Sequence, residues 1–170
     1  MGAVIGLLHA QAAHAQQCIT PEDLTDAGIY SVPVLAEGFE TSCAPHLAEH
    51  GFFATRGDEF VAPYAAMQEE RWPGTRRAFL LLGASGGDDE ADVEGMELLA
   101  SLDPDALRPL VDAFLAQKIG EEIKPEDCPR IEQVMELLAP LPPENFGGLL
   151  TFILEVSGVN EPQVCETGRP

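Results

Sequence analysis

Basic residues are scarce in this sequence of 170 residues, where Lys and Arg number 9 against 29 Asp and Glu. The formal charge of −20 repels phosphate backbones and anionic lipid headgroups, which argues against nucleic acids and membrane surfaces as partners. Long apolar runs are also missing. A stable membrane anchor needs about 20 consecutive apolar residues, and no run here approaches that length.

Motifs of common enzymes are missing as well. The sequence contains no nucleotide-binding loop, no G-x-S-x-G nucleophile motif, and no C-x-x-C or zinc-finger spacing. What it does contain is ordinary for a globular protein, with 45% hydrophobic and 22% charged residues. The length and composition predict one folded domain, which we place at residues 16–170.

The first fifteen residues, MGAVIGLLHAQAAHA, contain no acidic residue and neither Lys nor Arg. Their apolar stretch is followed by the A-x-A pattern Ala13-His14-Ala15 before Gln16, which is the pattern of a signal peptidase site. We therefore expect residues 1–15 to be a signal peptide and the mature protein to be periplasmic or secreted. The alternative interpretation is a buried N-terminal helix.

Four cysteines remain after residue 15, and an even number in an exported chain indicates two disulfides. In the predicted C-terminal helical hairpin, the second helix runs back to the end of the hairpin where the first helix began. The residues after it can then reach Cys128, which predicts a Cys128–Cys165 bond. Cys18 would then pair with Cys43. The alternative pairing, Cys18 with Cys165 and Cys43 with Cys128, would join the two ends of the chain.

An internal repeat is the clearest pattern in the sequence. MELLASLDPDALRPLVDAFL at 96–115 aligns without a gap with MELLAPLPPENFGGLLTFIL at 135–154, and 9 of the 20 positions are identical. Apolar residues in both copies follow the spacing of an amphipathic helix. The residues predicted to face inward are Leu107, Leu110, Val111, Phe114 and Leu115 in the first copy and Phe146, Leu149, Leu150, Ile153 and Leu154 in the second.

A shorter amphipathic helix precedes each of these, so helical hairpins are predicted at 88–119 and 127–157. Pro followed by an acid, which favours a helix start, occurs at Pro21-Glu22, Pro104-Asp105, Pro125-Glu126 and Pro143-Glu144. The predicted fold is an all-α helical bundle with a duplicated hairpin and two disulfides; a helical solenoid is the alternative. Residues 18–75, which are richer in Gly and Pro, are predicted to be irregular, with short helices and long loops.

His46-Leu47-Ala48-Glu49-His50 is the one motif with a catalytic pattern. On a two-turn helix, His46 and His50 would share a face beside Glu49. Over about a dozen residues this segment resembles the H-x-x-E-H zinc site of the inverzincin peptidases, which implies zinc bound by the histidines and water activated by the glutamate. The chain lacks the strands of those enzymes, and solvated histidines on a short helix are the simpler interpretation.

Three of the nine basic residues and the single Trp lie together in Arg71-Trp72-Pro73-Gly74-Thr75-Arg76-Arg77. Arg and Trp are enriched in binding hot spots, so Arg71, Trp72, Arg76 and Arg77 are candidates for a partner-binding site. The other interpretation, which we favour, is internal: the arginines would neutralise acids such as those at 88–90.

Three functions are compatible with these observations. The first is an exported, non-catalytic protein that needs no cofactor and binds a basic protein partner, as inhibitors, immunity proteins and envelope adaptors do. The second is a zinc-binding protein or metal-dependent hydrolase that uses His46, Glu49 and His50. The third is an acid-stress periplasmic chaperone, because protonation of 29 carboxylates near pH 4 would remove the repulsion between them.

Overall fold

The computed structural model describes residues 18–86, 90–157, 164 and 165. These residues form α1 (Pro21–Cys43), α2 (Phe52–Ala65), α3 (Gln68–Gly86), α4 (Glu90–Ser101), α5 (Pro104–Glu122), α6 (Cys128–Leu138) and α7 (Pro143–Ser157). Single turns of 3-10 helix precede α2 and α6, and an isolated bridge joins Ile19 to Val164. The predicted all-α class is confirmed. Within the described ranges, no helix combines the length and apolar character needed to cross a membrane.

The prediction that residues 18–75 are irregular is wrong. This region contains the 23-residue α1, all of α2 and the start of α3. Proline was the misleading signal, because it is expected to end a helix, yet Pro33, Pro63 and Pro73 lie inside α1, α2 and α3. Burial of both flanking turns keeps α1 helical through Pro33, since Ile29, Tyr30 and Val34 are all core residues.

Helix α1 is the centre of the fold and contacts α2, α3, α5 and α7, while α4 packs on α3 and α6 packs on α2. Three apolar clusters surround it. They are built around Ile29, Val32, Phe52, Phe60 and Tyr64; around Tyr30, Val34, Trp72, Leu107 and Val111; and around Phe39, Cys43 and Cys128. The two long helices of the repeat, α5 and α7, therefore share α1 as their common packing partner.

The predicted helix starts are confirmed at three of the four Pro-acid pairs, and the fourth begins a single 3-10 turn before α6. Pro21, Pro104 and Pro143 are the first residues of α1, α5 and α7, and Pro125 begins a 3-10 turn. Thr20 accepts a hydrogen bond from the amide of Asp23, and Asp103 accepts one from Asp105. These side chains satisfy amides that have no partner inside their helix.

The two disulfides are Cys18–Cys165 and Cys43–Cys128, so the predicted pairing is wrong and the alternative pairing is the one observed. The reason is the direction of α7. Gly147 lies against Gly28, and Thr151 hydrogen-bonds to Thr25 across 2.9 Å. Helix α7 therefore runs antiparallel to α1, and the end of α7 lies near the start of α1. The amide of Cys165 donates to the carbonyl of Ile19, which places the end of the chain beside Cys18 rather than Cys128.

Gly147 and Gly148 form a matched pair for testing the contact between α1 and α7. A Cβ at Gly147 would lie 2.9 Å from side-chain carbons of Ile29 and Thr25, whereas a Cβ at Gly148 would have no neighbour within 4 Å. We expect Gly147→Ala to lower the free energy of unfolding by about 1–3 kcal/mol through overpacking. Gly148→Ala should raise it by up to about 1 kcal/mol, because Ala favours helix over Gly. Urea unfolding of both variants measures this, and a gain at Gly147 would contradict the close packing.

Both tyrosines of the chain are buried, and burial raises the pKa of each phenol. A hydrogen bond to Asp112 raises the pKa of Tyr30 further, and the charge of Glu144 does the same for the pKa of Tyr64. The folded protein should therefore show no tyrosinate absorbance near pH 10, where tyrosines ionise in the unfolded chain.

The sign of the linked stability follows from these raised pKa values. Above about pH 10 the unfolded state loses phenolic protons that the folded state keeps, so the free energy of unfolding falls by up to about 1.4 kcal/mol per pH unit for each tyrosine. Absorbance at alkaline pH, with and without urea, checks both statements. Ionisation of either tyrosine near pH 10 in the folded protein would contradict them.

Candidate protein-binding surfaces

The apolar stripe predicted for the repeat helices divides into a buried half and an exposed half. In α5, Leu107 and Val111 are buried at 0% and 1% exposure, but Leu110 and Phe114 are 52% and 49% exposed. The expectation that all five stripe residues face inward is therefore wrong for Leu110 and Phe114. It is also wrong in α7, where Leu149 and Ile153 are exposed.

An apolar groove lies between α3, α4 and α5 and has a volume of about 570 Å³. We call it the α5 groove; it is lined by Phe79, Leu82, Gly83, Met96, Leu99, Leu107, Leu110, Val111, Phe114 and Leu115. The Phe79 and Phe114 rings meet edge to face at 6.3 Å. The lining side chains include no titratable group and no catalytic nucleophile, so the groove is suited to holding apolar surface.

A second apolar face lies on α7. We call it the α7 surface and define it by Leu149, Phe152, Ile153 and Val156, each at least 43% exposed. Of the ten large apolar residues that are exposed in the described part of the chain, nine lie on α4, α5, α6 or α7, and the tenth, Leu82 of α3, lines the α5 groove. Exposed apolar area is thus concentrated on the duplicated region, and contiguous patches of this kind mark interaction sites.

The surroundings of these apolar faces are acidic. Residues 90–122 contain nine Asp and Glu against two cationic side chains. Both cations are already paired, Arg108 with Glu69 and Lys118 with Glu121. The field beside the α5 groove is therefore negative, which favours a partner that carries positive charge.

The structure does not support the helical arrangement predicted for His46, Glu49 and His50. A 3-10 turn ends at His46, and Leu47 is extended with φ −99° and ψ 153°, so the two histidines do not share a helix face. All three side chains are exposed. Among the described residues, no group of three or more His, Cys, Asp or Glu side chains is arranged to hold a metal ion.

Glu49 instead lines a cleft of about 490 Å³ between α1, the turn after it and α2. Glu37, Glu40 and Asp58 line the same cleft, together with apolar residues such as Phe53. No sequence pattern indicates this cleft, because it depends on α1 and α2 lying side by side.

The arginine and tryptophan segment has internal contacts. Arg71 pairs with Asp26 at 3.0 Å and Arg77 with Asp23 at 2.7 Å, which joins α3 to α1. Arg76 donates to the carbonyl of Ala100 in α4. These acids differ from those expected near residues 88–90, of which Asp88 and Asp89 lie outside the described residues.

Trp72 is the candidate that the structure removes from the predicted partner-binding set. Its side chain is 5% exposed and its ring lies 5.4 Å from that of Tyr30 in the core. A tryptophan buried to this extent offers no contact area to a partner. The favoured interpretation, an internal role for this segment, agrees with these contacts.

Comparison with protein-family models, with characterised proteins and with solved structures gives no match to this chain. The features of the described residues that bear on function are therefore the exposed apolar side chains of the α5 groove and the α7 surface.

Proposed function

We propose that this is an exported, non-catalytic protein that binds a basic protein partner, and that the α5 groove is the binding site. The observation that carries the proposal is the groove itself: ten apolar lining residues in about 570 Å³, open to solvent within a strongly acidic region. Inhibitors, immunity proteins and envelope adaptors work in this way, through surface complementarity without chemistry.

A protein suits the groove better than a small polar ligand. Small-molecule sites combine apolar walls with a few placed polar groups that fix orientation, and no lining side chain here is polar. Protein interfaces have an apolar core rich in aromatic residues and Met, with a polar rim. Phe79, Met96 and Phe114 would supply such a core, and the surrounding carboxylates would accelerate encounter with a cationic partner.

Two observations support export. Both disulfides involve cysteines far apart in the sequence, and structural bonds of this kind persist in oxidising compartments. The predicted signal peptide, 1–15, has the pattern of a cleaved leader, although it lies outside the described residues.

Protein recovered from the periplasm or medium should begin at or near Gln16, and intact protein that begins at Met1 in the cytosol would contradict export.

The binding proposal is tested with immobilised mature chain, 16–170, and two variants of equal added charge. Phe114→Glu places a carboxylate in the α5 groove, and Ala62→Glu places one on the exposed side of α2. From an envelope extract, the unchanged protein and Ala62→Glu should retain the same protein in stoichiometric amount, and Phe114→Glu should retain markedly less of it.

Circular dichroism of both variants shows whether the helices persist. Equal retention by Phe114→Glu, or no stoichiometric partner on the unchanged protein, would contradict the proposal.

A further inference from the structure

We propose that the α5 groove and the α7 surface are two copies of one docking surface, each of which takes the apolar face of an amphipathic partner helix flanked by Lys or Arg. This inference rests on the proposed function and extends it from one site to two. It names both the secondary structure of the bound segment and its charge.

The first support is that equivalent positions of the repeat are exposed in both copies. Leu110 and Leu149 align in the repeat and are 52% and 43% exposed; Phe114 and Ile153 also align and are 49% and 48% exposed. Core packing does not account for apolar side chains at these positions, because about half of each lies in solvent. A shared external contact does account for them.

The second support is that equivalent positions on the opposite side of each helix contact α1. Arg108 and Asp112 of α5 hydrogen-bond to Tyr30 of α1. Their equivalents in the second copy, Gly147 and Thr151 of α7, meet α1 at Thr25. Both helices therefore present the same face to α1 and the same face to solvent, although the contacting side chains differ.

The two exposed faces belong to helices that pack on different sides of α1. Helix α1 contacts α7 through Thr25, Gly28 and Ile29, and it contacts α5 through Tyr30, Gly38 and Ser42. At about 100° per residue the centres of these two sets lie about 140° apart around α1, so α5 and α7 pack on different sides of it. One helix cannot cover both faces, so two bound segments are needed to fill them.

The shape and charge of the faces indicate the occupant. Leu110 and Phe114, like Leu149 and Ile153, are spaced i and i+4 along an exposed helix, and such rows receive the anchors of an amphipathic helix. Glu97 and Glu136 are equivalent, exposed, and without a cationic partner among the described residues. Cationic flanks complement the net charge of −20, whereas a second copy of this chain would bring another charge of −20 and be repelled.

The test is isothermal titration of the mature chain with a designed peptide of Leu and Lys, about 18 residues long, whose Leu residues follow the helical period. A control peptide has the same composition with Leu at alternate positions, which removes the apolar face of the helix. We expect two equivalent sites for the first peptide. Phe114→Glu and Ile153→Glu should each leave one site, the double variant should leave none, and Ala62→Glu should keep both.

Each other result overturns the inference. Equal binding of the two peptides, or binding that persists in the double variant, would mean that charge rather than a docking face holds the peptide. A single site removed by Phe114→Glu would refute the duplication and leave the proposed function intact. Absence of peptide binding would refute the inference that the bound segment is a helix. The proposed function would still be tested independently, by capture of a partner from the envelope extract.

Discussion

Replacing Cys43 and Cys128 together by Ala should lower the free energy of unfolding by about 4 kcal/mol. The bond closes a loop of 85 residues, and restricting so long a loop removes much conformational entropy from the unfolded chain. Domains of this size are stable by about 5–15 kcal/mol, so this loss is a large part of the total. Urea unfolding of the oxidised protein and of the double variant measures it.

Non-reducing peptide mapping provides the control for this prediction. A fragment that joins Cys43 to Cys128 should be found, together with one that joins Cys18 to Cys165. Both Cys43 and Cys128 are fully buried in the cluster with Phe39, which places the end of α1 against the start of α6. A fragment that joins Cys18 to Cys43 would contradict this packing.

Leu107→Ala should lower the free energy of unfolding by about 3 kcal/mol, whereas Leu110→Ala on the same helix should change it by less than about 1 kcal/mol. The two changes remove the same atoms from residues with opposite environments. Leu107 is fully buried in the cluster with Tyr30 and Trp72, and Leu110 is 52% exposed. Helix propensity cancels in the comparison, so the difference reports burial.

Thermal and urea unfolding of the two variants, together with binding of the captured partner, separate stability from function. Leu110→Ala should keep the fold and weaken partner binding. Equal destabilisation by the two substitutions would mean that the exposed half of the stripe is covered in the folded protein, and it would count against the α5 groove as a binding site.

Local features of the sequence predicted the individual helices better than their arrangement. Pro21, Pro104 and Pro143 begin helices because a residue without an amide proton fits the first turn, and this needs no tertiary information. The prediction of irregular structure from the Gly and Pro content of residues 18–75 failed at Pro33 and Pro63, since buried contacts on both sides hold those helices together.

The division of the repeat stripe could not be predicted because it depends on α1. The spacing of Leu107, Leu110 and Phe114 predicts one apolar face, but not how much of that face a single neighbouring helix will cover. The covering helix itself lies in the region that was predicted to be irregular. The candidate site was therefore hidden within residues predicted to be core.

The cysteine pairing failed for a related reason. It depended on α7 returning alongside α6, but small residues at Gly28 and Gly147 allow α7 to approach α1 closely instead. The direction of α7 then carries Cys165 to Cys18. A close contact between two glycines that are far apart in the sequence leaves no periodic pattern from which it could be predicted.

The disulfide connectivity also affects the order in which the bonds form during synthesis of the chain. Cys18 and Cys43 are the first two thiols to emerge from synthesis, they are close together in the sequence, and the folded protein does not join them. In an oxidising compartment a short loop closes readily, so this non-native bond should form before Cys128 and Cys165 arrive. In the oxidising compartment proposed above, we expect the thiolate of Cys128 to attack the sulfur of Cys43 and release the Cys18 thiolate, after which an external disulfide would oxidise Cys18 and Cys165 to their native bond.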